Sequence, residues 1–372
     1  MTSAAAVAAR GERDAPWRWR VLARVSRLWR WEFWPQKLFY VPMVPVWCSL
    51  GLWHRSSTCW TAANPAMPHA GTAGERKSDV LAMLPRDVTP AFALIAAGPL
   101  KERVATLVRA MSERAIGLPA IIKPDIGERG SGVRLVRTLE QAAAVMCEQP
   151  QDLIVQAFSP GPVEVGIAYV RHPTEATGKV FSITAKRFPT VVGDGQSTLR
   201  ELIWRDARLR MQASTFLTRL ADRAGEVPSV LQVVTLAVAG NHCQGTMFLD
   251  APHLITPALE REIDRIAQSV GDGRGFFIGR LDVRCASEAA LMRGENLSVL
   301  EINGVVGEST NIYDPSRSIV AAYVTLARQW AHAFAIGKDC ERLGLAKATP
   351  PVALVRAVLA HVNRPGVGTP SD

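Results

Sequence analysis

The chain has 372 residues and a mass of 40.4 kDa, a length that suits two domains or one domain with a large extension. Hydrophobic residues make up 48% of it and charged residues 21%, and the mean hydropathy is +0.07, which excludes a disordered chain and a polytopic membrane protein. Most of the net charge of +9 lies in the first 37 residues, so the nearly neutral remainder is not typical of a nucleic-acid-binding face.

The six cysteines and seven histidines are scattered along the chain. They show neither the spacing of a zinc site nor that of a disulfide framework. This cysteine usage fits the reducing cytoplasm, and no metal site built from cysteine and histidine is expected.

The segment WRWRVLARVSRLWRWEFW, residues 17–34, combines tryptophan with arginine. On a helix, one side would carry Arg20, Arg24, Arg27 and Arg30, and the other Val21, Leu22, Val25, Leu28 and Trp29. Indoles favour the headgroup level of a bilayer and arginines are attracted to anionic lipid, so residues 17–53 could lie on the inner face of a membrane. Alternatively, the apolar side could pack on the protein's own body while the arginines are solvated. The sequence leaves both interpretations open.

The run LFYVPMVPVWCSLGLW, residues 38–53, contains no charged residue. It is shorter than the ~20 residues of a membrane-spanning helix, and Pro42 and Pro45 disfavour a regular helix. A signal peptide is also disfavoured, because the run starts late and no small-residue cleavage site follows it cleanly. We therefore expect a buried or membrane-dipping segment.

Residues 61–85 are rich in glycine, proline, alanine and asparagine, which predicts a loop. The polar cluster Glu-Arg-Lys-Ser at 75–78 could fold over a phosphate or a substrate carboxylate. The simpler interpretation is a linker that caps a helix starting near Ser78 or Asp79.

From residue 90 the pattern becomes regular, and apolar periodicity predicts a helix over 91–115. The next strand carries Lys123, and a glycine-rich loop separates it from a second strand over 133–136. The loop residues of interest are Gly127, Gly130, Ser131 and Gly132. Glycines let backbone N–H groups approach phosphate oxygens, and a strand-borne ammonium group supplies positive charge. Alone, the motif is equally a common glycine hairpin with a lysine on an edge strand.

A helix over 138–147 and three further strands follow. This order predicts an α+β fold with antiparallel sheets rather than a Rossmann fold. No GxGxxG or Walker A sequence occurs in this stretch.

Two strands nearer the C-terminus, within 275–285 and 296–315, carry polar side chains at alternating positions. A strand has a period of two, so Arg280 and Asp282 share one face of the first strand, and Glu301 and Asn303 share one face of the second. If these faces coincide, two carboxylates and an amide oxygen meet, a donor set that suits Mg²⁺ bound to nucleotide phosphates. Otherwise the arginine simply neutralises a carboxylate on a solvated sheet face.

In this order, the motifs resemble those of the ATP-grasp superfamily of carboxylate–amine ligases, which includes D-alanine–D-alanine ligase, glutathione synthetase and the ligase domain of cyanophycin synthetase. The resemblance covers about residues 95–335 and implies two α+β subdomains that grip ATP. The ATP-binding residues that it implies are Lys123, Gly127, Gly130, Ser131 and Gly132 at the phosphates, Gln156, Ala157 and Phe158 at the adenine, Glu164 at the ribose, and Lys186 and Arg187. It further implies that Asp282, Glu301 and Asn303 hold two Mg²⁺ ions, or Mn²⁺, and that Arg280 and the Gly307 N–H stabilise the reacting oxygen.

The same resemblance sets the expected domains. These are an amphipathic and apolar extension with a substrate-side loop (1–90), an N-terminal ATP-grasp subdomain (91–190), a metal-binding subdomain (191–337) and a tail (338–372). WEFWP and the GERKS loop also resemble the start of a bacterial ATP-grasp group, which implies that residues 31–80 are integral to the fold. These ligases usually begin with an α/β domain, however, and residues 1–90 show no βαβ pattern, so the resemblance does not identify the substrate.

The implied activity is that of an ADP-forming carbon–nitrogen ligase working through an acyl phosphate. Its substrates would be small-molecule or lipid-linked carboxylates and amines, and no nucleic acid is expected to bind. The alternatives are a phosphotransferase of the same fold and a membrane-associated nucleotide-binding module without ligase activity. We expect the protein in the cytoplasm or on the inner face of the membrane.

Overall fold

The computed structural model describes residues 16–127, 132–237, 240, 245–273 and 275–362. Within the described ranges the first helices are α1 (Trp17–Trp29), α2 (Gln36–Tyr40), α3 (Val44–Trp53) and α4 (Lys77–Ala82). Short 3₁₀ turns at Cys59–Ala62 and Pro68–Gly71 lie between α3 and α4, within the predicted loop. Within the described ranges, no helix is long and apolar enough to cross a membrane.

The first sheet has four antiparallel strands in the order β1-β4-β2-β3. They are β1 (Phe92–Ile95), β2 (Ala120–Pro124), β3 (Arg134–Val136) and β4 (Leu153–Ala157), and the helices of this region are α5 (Leu100–Glu113) and α6 (Leu139–Glu148). The helices pack on the sheet through apolar side chains such as Leu107 and Met146, which share a buried cluster with Ile122. Helix α6 begins where the Thr138 hydroxyl accepts a hydrogen bond from the Gln141 N–H.

The prediction of one helix over 91–115 is wrong at its start. Phe92–Ile95 forms β1, which pairs with β4, and the helix begins only at Leu100, after Gly98 and Pro99. A short apolar run does not by itself distinguish a strand from a helix. Its pairing with β4, more than fifty residues away, is a tertiary contact that decides the outcome.

The second sheet has five strands in the order β11-β10-β5-β6-β9, and β7 and β8 form a separate ribbon. In chain order these strands are β5 (Val163–Val170), β6 (Lys179–Arg187), β7 (Thr190–Val192), β8 (Val233–Thr235), β9 (Met247–Asp250), β10 (Ile278–Cys285) and β11 (Ser298–Asn303). Every strand pairing among the described residues is antiparallel, which confirms the predicted α+β class.

The remaining helices are α7 (Leu199–Arg205), α8 (Ala213–Arg219), α9 (Pro257–Ser269), α10 (Glu288–Arg293), α11 (Ile319–Arg342) and α12 (Pro351–Val362). Helix α9 begins with the Thr256 hydroxyl as its cap and Pro257 in its first turn. Its Ile263 and Ile266 are fully buried in the same apolar cluster as Leu281 of β10. The largest core cluster therefore lies between this helix and the second sheet.

Residues 39–66 of the N-terminal extension pack on the long helix α11. Phe39 and Met43 are buried in a cluster with residues of α11, and the Tyr323 hydroxyl donates a hydrogen bond to the Phe39 carbonyl at 2.8 Å. A Cβ at Gly337 would collide with the carbonyl group of Cys59, so this glycine permits the close contact between helix and loop.

Helix α1 contacts the body through the side that carries Trp19, Ala23 and Arg27. Ala23 is the buried residue of this helix, and the Trp19 ring lies under the Arg210 guanidinium, 4.3 Å from it. The Arg27 guanidinium also donates a hydrogen bond to the Met211 carbonyl. The apolar side of the helix is exposed. Packing of that side on the body, one of the two interpretations open from the sequence, is therefore wrong.

Asn64 joins the N-terminal extension to the start of β10. Its buried Oδ1 accepts hydrogen bonds from the N–H groups of Phe277 and Ile278 at 2.9 and 3.0 Å. Its Nδ2 donates to the carbonyls of Ile278 and Ala70 at 2.8 and 3.3 Å. One amide thus satisfies backbone groups of two segments that are more than two hundred residues apart in sequence.

Replacing this amide should destabilise the whole fold. We expect Asn64→Ala to lower the free energy of unfolding by about 3 kcal/mol or more, because each buried backbone group left unpaired costs roughly 1–3 kcal/mol. Thr72→Ala is the control, since it removes one local bond to the His69 carbonyl and should cost about 1 kcal/mol. Chemical denaturation measures both, and equal small losses would show that Asn64 does not hold the extension in place.

Candidate active site

One cleft of about 1110 Å³ is lined by residues of both sheets and of the N-terminal extension. The sequence-predicted residues that line it are Lys123, Gly127, Gln156, Ala157, Phe158, Glu164, Lys186, Arg280, Asp282, Glu301, Asn303 and Gly307. The structure therefore brings together side chains from β2, β4, β5, β6, β10 and β11. Their positions follow from strand pairing.

The register of β10 and β11 gathers the four polar side chains predicted from strand alternation. Arg280 lies opposite Asn303, and Asp282 lies opposite Glu301. Directly paired residues point to the same face of a sheet, so all four side chains share one face. The register shifts immediately after Asp282, where Leu300 has no partner on β10, and this bulge ends the regular pairing beside the site.

Asp282 lies between two cations. Its carboxylate accepts hydrogen bonds from Arg280 at 3.1 and 3.2 Å and forms an ion pair with Lys186 Nζ at 3.0 Å. Burial alone would raise the pKa of this carboxyl, but Arg280 and Lys186 outweigh it and lower the pKa to about 2. Arg280 does neutralise Asp282, as one sequence interpretation proposed, but the pair lines a cleft, with Asp282 buried, rather than a solvated sheet face.

Glu301 is paired with a lysine that the predicted site did not include. Lys77 Nζ lies 2.9 Å from Glu301 Oε1 and donates a second hydrogen bond to the Gly127 carbonyl at 2.7 Å. Burial opposes ionisation of Glu301, but Lys77 and Lys123 outweigh it and lower the pKa of this carboxyl. The polar cluster at 75–78 was the only sequence signal for this contact. The structure agrees with the predicted linker in that α4 begins within the cluster. The cluster also contributes Lys77 to the site, which a simple linker would not.

The loop before Lys77 reaches the site because two glycines touch. A Cβ on Gly71 would lie 2.6 Å from the Cα of Gly304, at the end of β11, and the Val305 N–H donates to the Ala70 carbonyl at 2.8 Å. This contact places Glu75 in the cleft. Burial and the nearby carboxylate of Glu301 raise the pKa of Glu75 to about 7.

Lys123 is buried in β2. Its Nζ donates hydrogen bonds to Gln156 Oε1 at 2.9 Å and to the Leu300 carbonyl at 3.4 Å. Burial lowers the pKa of this lysine to about 8, although Glu301 opposes the shift. The Nε2 of Gln156 is buried and has no hydrogen-bond partner among the described residues, so it is a donor available to a ligand.

Glu164 and Lys186 face each other across β5 and β6. Lys186 Nζ lies 3.0 Å from Glu164 Oε1, and Arg284 pairs with the other oxygen of the same carboxylate. Burial opposes the charge on Lys186, but Asp282 and Glu164 outweigh it and raise the pKa of this lysine. The predicted ribose-binding acid thus has two cationic partners in this structure.

Two predicted residues do not reach the described cleft. Arg187 is exposed at the end of β6, because neighbouring residues of a strand point to opposite faces and Lys186 points inward. Gly132 has a φ of +70°, and a Cβ there would lie 2.8 Å from Cγ of Pro124. Its role in this structure is to permit close packing in the hairpin. Gly130 and Ser131 lie outside the described residues.

The Gly307 N–H is already hydrogen-bonded in this structure, unlike in its predicted role. Its N–H donates to the Gly304 carbonyl at 2.8 Å, so the turn after β11 uses the hydrogen bond that was predicted to serve the reacting oxygen. The next residue, Glu308, lines the cleft with a carboxylate that accepts hydrogen bonds from the hydroxyls of Tyr40 and Tyr313. Sequence analysis gave no signal for this carboxylate.

The donors present fit a magnesium-bound nucleotide better than a metal held by protein alone. Among the described residues, no group of three or more histidine, cysteine, aspartate or glutamate side chains could hold a metal ion. Asp282, Glu301 and the amide of Asn303 offer hard oxygen atoms from neighbouring strands, which Mg²⁺ accepts when phosphates and water complete its octahedron.

No protein-family model matches the chain, and no curated protein matches it. Its structure is similar to solved structures of a glutathione synthetase and of D-alanine–D-alanine ligases. A bifunctional glutathione synthetase from Pasteurella multocida matches 68% of this chain and 35% of its own, with 14% identity and a TM-score of 0.36. D-alanine–D-alanine ligases from Bacillus anthracis and Coxiella burnetii match 72% and 77% of this chain and 68% and 61% of theirs, with 11% and 10% identity and TM-scores of 0.38 and 0.39. The chain thus spans about a third of the first protein and about two thirds of the others. What the cleft can do is inferred from its own side chains.

Nucleotide binding should weaken as the pH rises past the pKa of Lys123. With a pKa of about 8, the ammonium group loses its proton progressively as the pH rises through this value, and only the charged form attracts phosphate. We expect the Kd of a non-hydrolysable ATP analogue to rise several-fold between about pH 7.5 and about pH 9. Isothermal titration calorimetry measures the Kd at each pH.

Two variants make this test specific. Lys123→Met should bind weakly and without the pH dependence, whereas Lys179→Met, which changes an exposed lysine of β6, should behave as the wild type. The same pH dependence in Lys123→Met as in the wild type would show that another group titrates.

Proposed function

We propose that this protein is an ATP-dependent carboxylate–amine ligase that joins an acid to an amine through an acyl phosphate. The observation that carries this proposal is the arrangement of Lys123, Lys186 and Arg280 beside the carboxylates of Asp282 and Glu301 in one cleft. Buried charges are costly unless they are paired. A large cleft that nevertheless holds these five charged side chains, with Lys123 and Asp282 buried, suits a polyanionic nucleotide with its metal ions.

In this proposal the adenine lies at the end of β4, the ribose lies at β5, and the phosphates lie beside β2 and β6. Gln156, Ala157 and Phe158 contact the adenine, and the unpaired Nε2 of Gln156 supplies a hydrogen-bond donor. Glu164 binds the ribose hydroxyls, while Lys123 and Lys186 neutralise the phosphates. Asp282, Glu301 and Asn303 would hold Mg²⁺, which when bound supplies charge neutralisation and orientation of the phosphates.

The chemistry has two steps. An oxygen of the substrate carboxylate attacks the γ-phosphorus of ATP, the bond to the bridging oxygen breaks, and ADP leaves. The amine nitrogen then attacks the carbonyl carbon of the acyl phosphate and loses a proton, and phosphate leaves to give the amide. In this proposal Arg280 stabilises the developing oxyanion, and a preorganised donor of this kind is typically worth ~3–4 kcal/mol.

The N-terminal extension supplies the wall on which the substrate would bind. Trp31, Phe33, Phe39 and Tyr40 line the cleft from this side. Glu308, held by two tyrosine hydroxyls, is a fixed carboxylate suited to a substrate ammonium group. We propose a small-molecule or lipid-linked acid and an amine as substrates.

Removing either proposed metal-binding carboxylate should abolish turnover without unfolding the protein. We expect Asp282→Asn and Glu301→Gln to lower ATP turnover at least about a hundredfold, because an amide cannot supply the anionic charge that a divalent ion requires. Glu295→Gln is the control, since this carboxylate is exposed and pairs with Arg293.

The assay is ADP release during a screen of carboxylic acids with amines, with circular dichroism to verify folding. Amine-dependent ADP release supports the ligase. A stable phosphorylated acid formed without any amine dependence would instead indicate a phosphotransferase. Near-wild-type turnover in both carboxylate variants would show that Asp282 and Glu301 form structural salt bridges only and do not hold a metal ion.

Lys77 should act on phosphoryl transfer through its contacts with Glu301 and Gly127. We expect Lys77→Met to lower the turnover number roughly tenfold or more, because Glu301 loses a cation that holds its carboxylate in position. Lys101→Met, at an exposed position of α5, is the matched control. Steady-state ADP release measures both variants, and equal turnover would leave Lys77 without a role in the site.

A further inference from the structure

The N-terminal extension carries many large apolar side chains that are exposed to solvent. We name it the apolar collar, and its members are Trp17, Val21, Leu22, Val25, Leu28, Trp29, Leu38, Val41, Val44, Leu52 and Trp53. The most exposed are Trp29 at 80%, Leu52 at 81% and Trp53 at 83%. Soluble surfaces rarely concentrate large apolar residues in this way unless the surface binds something.

The exposed charged side chains of the segment that bears the apolar collar have one sign. Between residues 16 and 57 the only acidic residue is Glu32, and it is buried and paired with Arg208 through two hydrogen bonds at 2.6 and 2.9 Å. The exposed basic side chains in the same range include Arg18, Arg24, Lys37 and Arg55. Whatever covers this surface must therefore accept apolar side chains and positive charge together.

The same observations disfavour a second copy of the chain as the occupant. In a symmetric dimer the same patch meets itself, so the basic residues of the two copies would face each other without an exposed acid from this segment to neutralise them. Tryptophan interleaved with arginine is instead suited to the headgroup level of a bilayer, where indoles and guanidinium groups are both accommodated.

We propose that the apolar collar docks the protein on the surface of an anionic lipid bilayer. The collar lies on the surface rather than crossing it, because none of the helices in the described ranges could span a membrane. In this proposal residues 27–40 contact both the bilayer and the cleft. Leu28, Trp29 and Leu38 are exposed and would contact lipid, while Trp31 and Tyr40 line the cleft.

The proposal does not depend on the ligase activity, since it is tested by binding alone. The full-length protein is mixed with vesicles of phosphatidylcholine, or of phosphatidylcholine with phosphatidylglycerol, and separated by flotation. We expect at least tenfold more protein on the anionic vesicles. Raising the ionic strength from about 0.1 M to about 1 M shortens the Debye length from ~10 Å to ~3 Å, so binding should fall several-fold without vanishing.

Variants separate the apolar and the charged contributions. Leu28→Ser with Trp29→Ser, and Leu52→Ser with Trp53→Ser, should each lower vesicle binding more than tenfold, because the inserted side chains are lost. Arg24→Gln with Lys37→Gln and Arg55→Gln should lower binding to anionic vesicles only. None of these residues lines the cleft.

Val108→Ser and Arg109→Gln are the matched controls, because both positions are exposed on α5, outside the collar. They should bind vesicles as the wild type does. Brominated lipids should quench the tryptophan fluorescence of the wild type and less so that of the Trp29 and Trp53 variants, which reports insertion directly.

Three results would overturn the proposal. The intact protein could fail to bind anionic vesicles at every salt concentration. The collar variants and the controls could bind equally. Finally, sedimentation could show a dimer that Leu52→Ser with Trp53→Ser converts to a monomer, together with no vesicle binding by the wild type, which would mean that a second copy covers the collar.

Discussion

The ion pairs around Asp282 and Glu301 constrain the rest of this structure. Both carboxylates lie on the inner face of paired strands, and each has a cation beside it. For the buried Asp282 this pairing matters most, since removing one partner of a buried pair typically costs about 3–5 kcal/mol. The cations come from distant parts of the chain: Lys186 from β6, Lys77 from the first turn of α4 and Lys123 from β2. Compensation of these charges therefore fixes the first sheet, the second sheet and the N-terminal loop relative to one another. The same charges are what a nucleotide and its metal ions would meet.

The N-terminal extension is part of this arrangement and not an appendage. Asn64 is bonded to the start of β10, Gly71 touches Gly304 at the end of β11, and Lys77 reaches Glu301 between them. Short helices and turns of the extension pack against α11 and the second sheet. The extension thereby supplies the aromatic wall of the cleft.

The extension also bears two kinds of apolar surface that differ in their partners. Phe39 and Met43 are buried against α11 and gain the free energy of removing apolar area from water. The neighbouring Leu38 and Val41 are exposed, at a cost that soluble proteins normally avoid. The two kinds of apolar side chain alternate within one short segment, which also supplies Phe39 and Tyr40 to the wall of the cleft.

The sequence by itself determined the features that depend on local periodicity. Alternation in β10 and β11 predicted that Arg280 shares a face with Asp282 and that Glu301 shares a face with Asn303, because successive side chains of a strand must point to opposite faces. The order of strands and helices likewise predicted the α+β class. Only the tertiary structure decided what depends on contacts between distant segments. Lys77 and Glu301 are 224 residues apart, and no local pattern reports such a distance. The amphipathic pattern of helix α1 does not tell which side of the helix faces the body. The packing of Ala23 and Trp19 on the body decides this orientation.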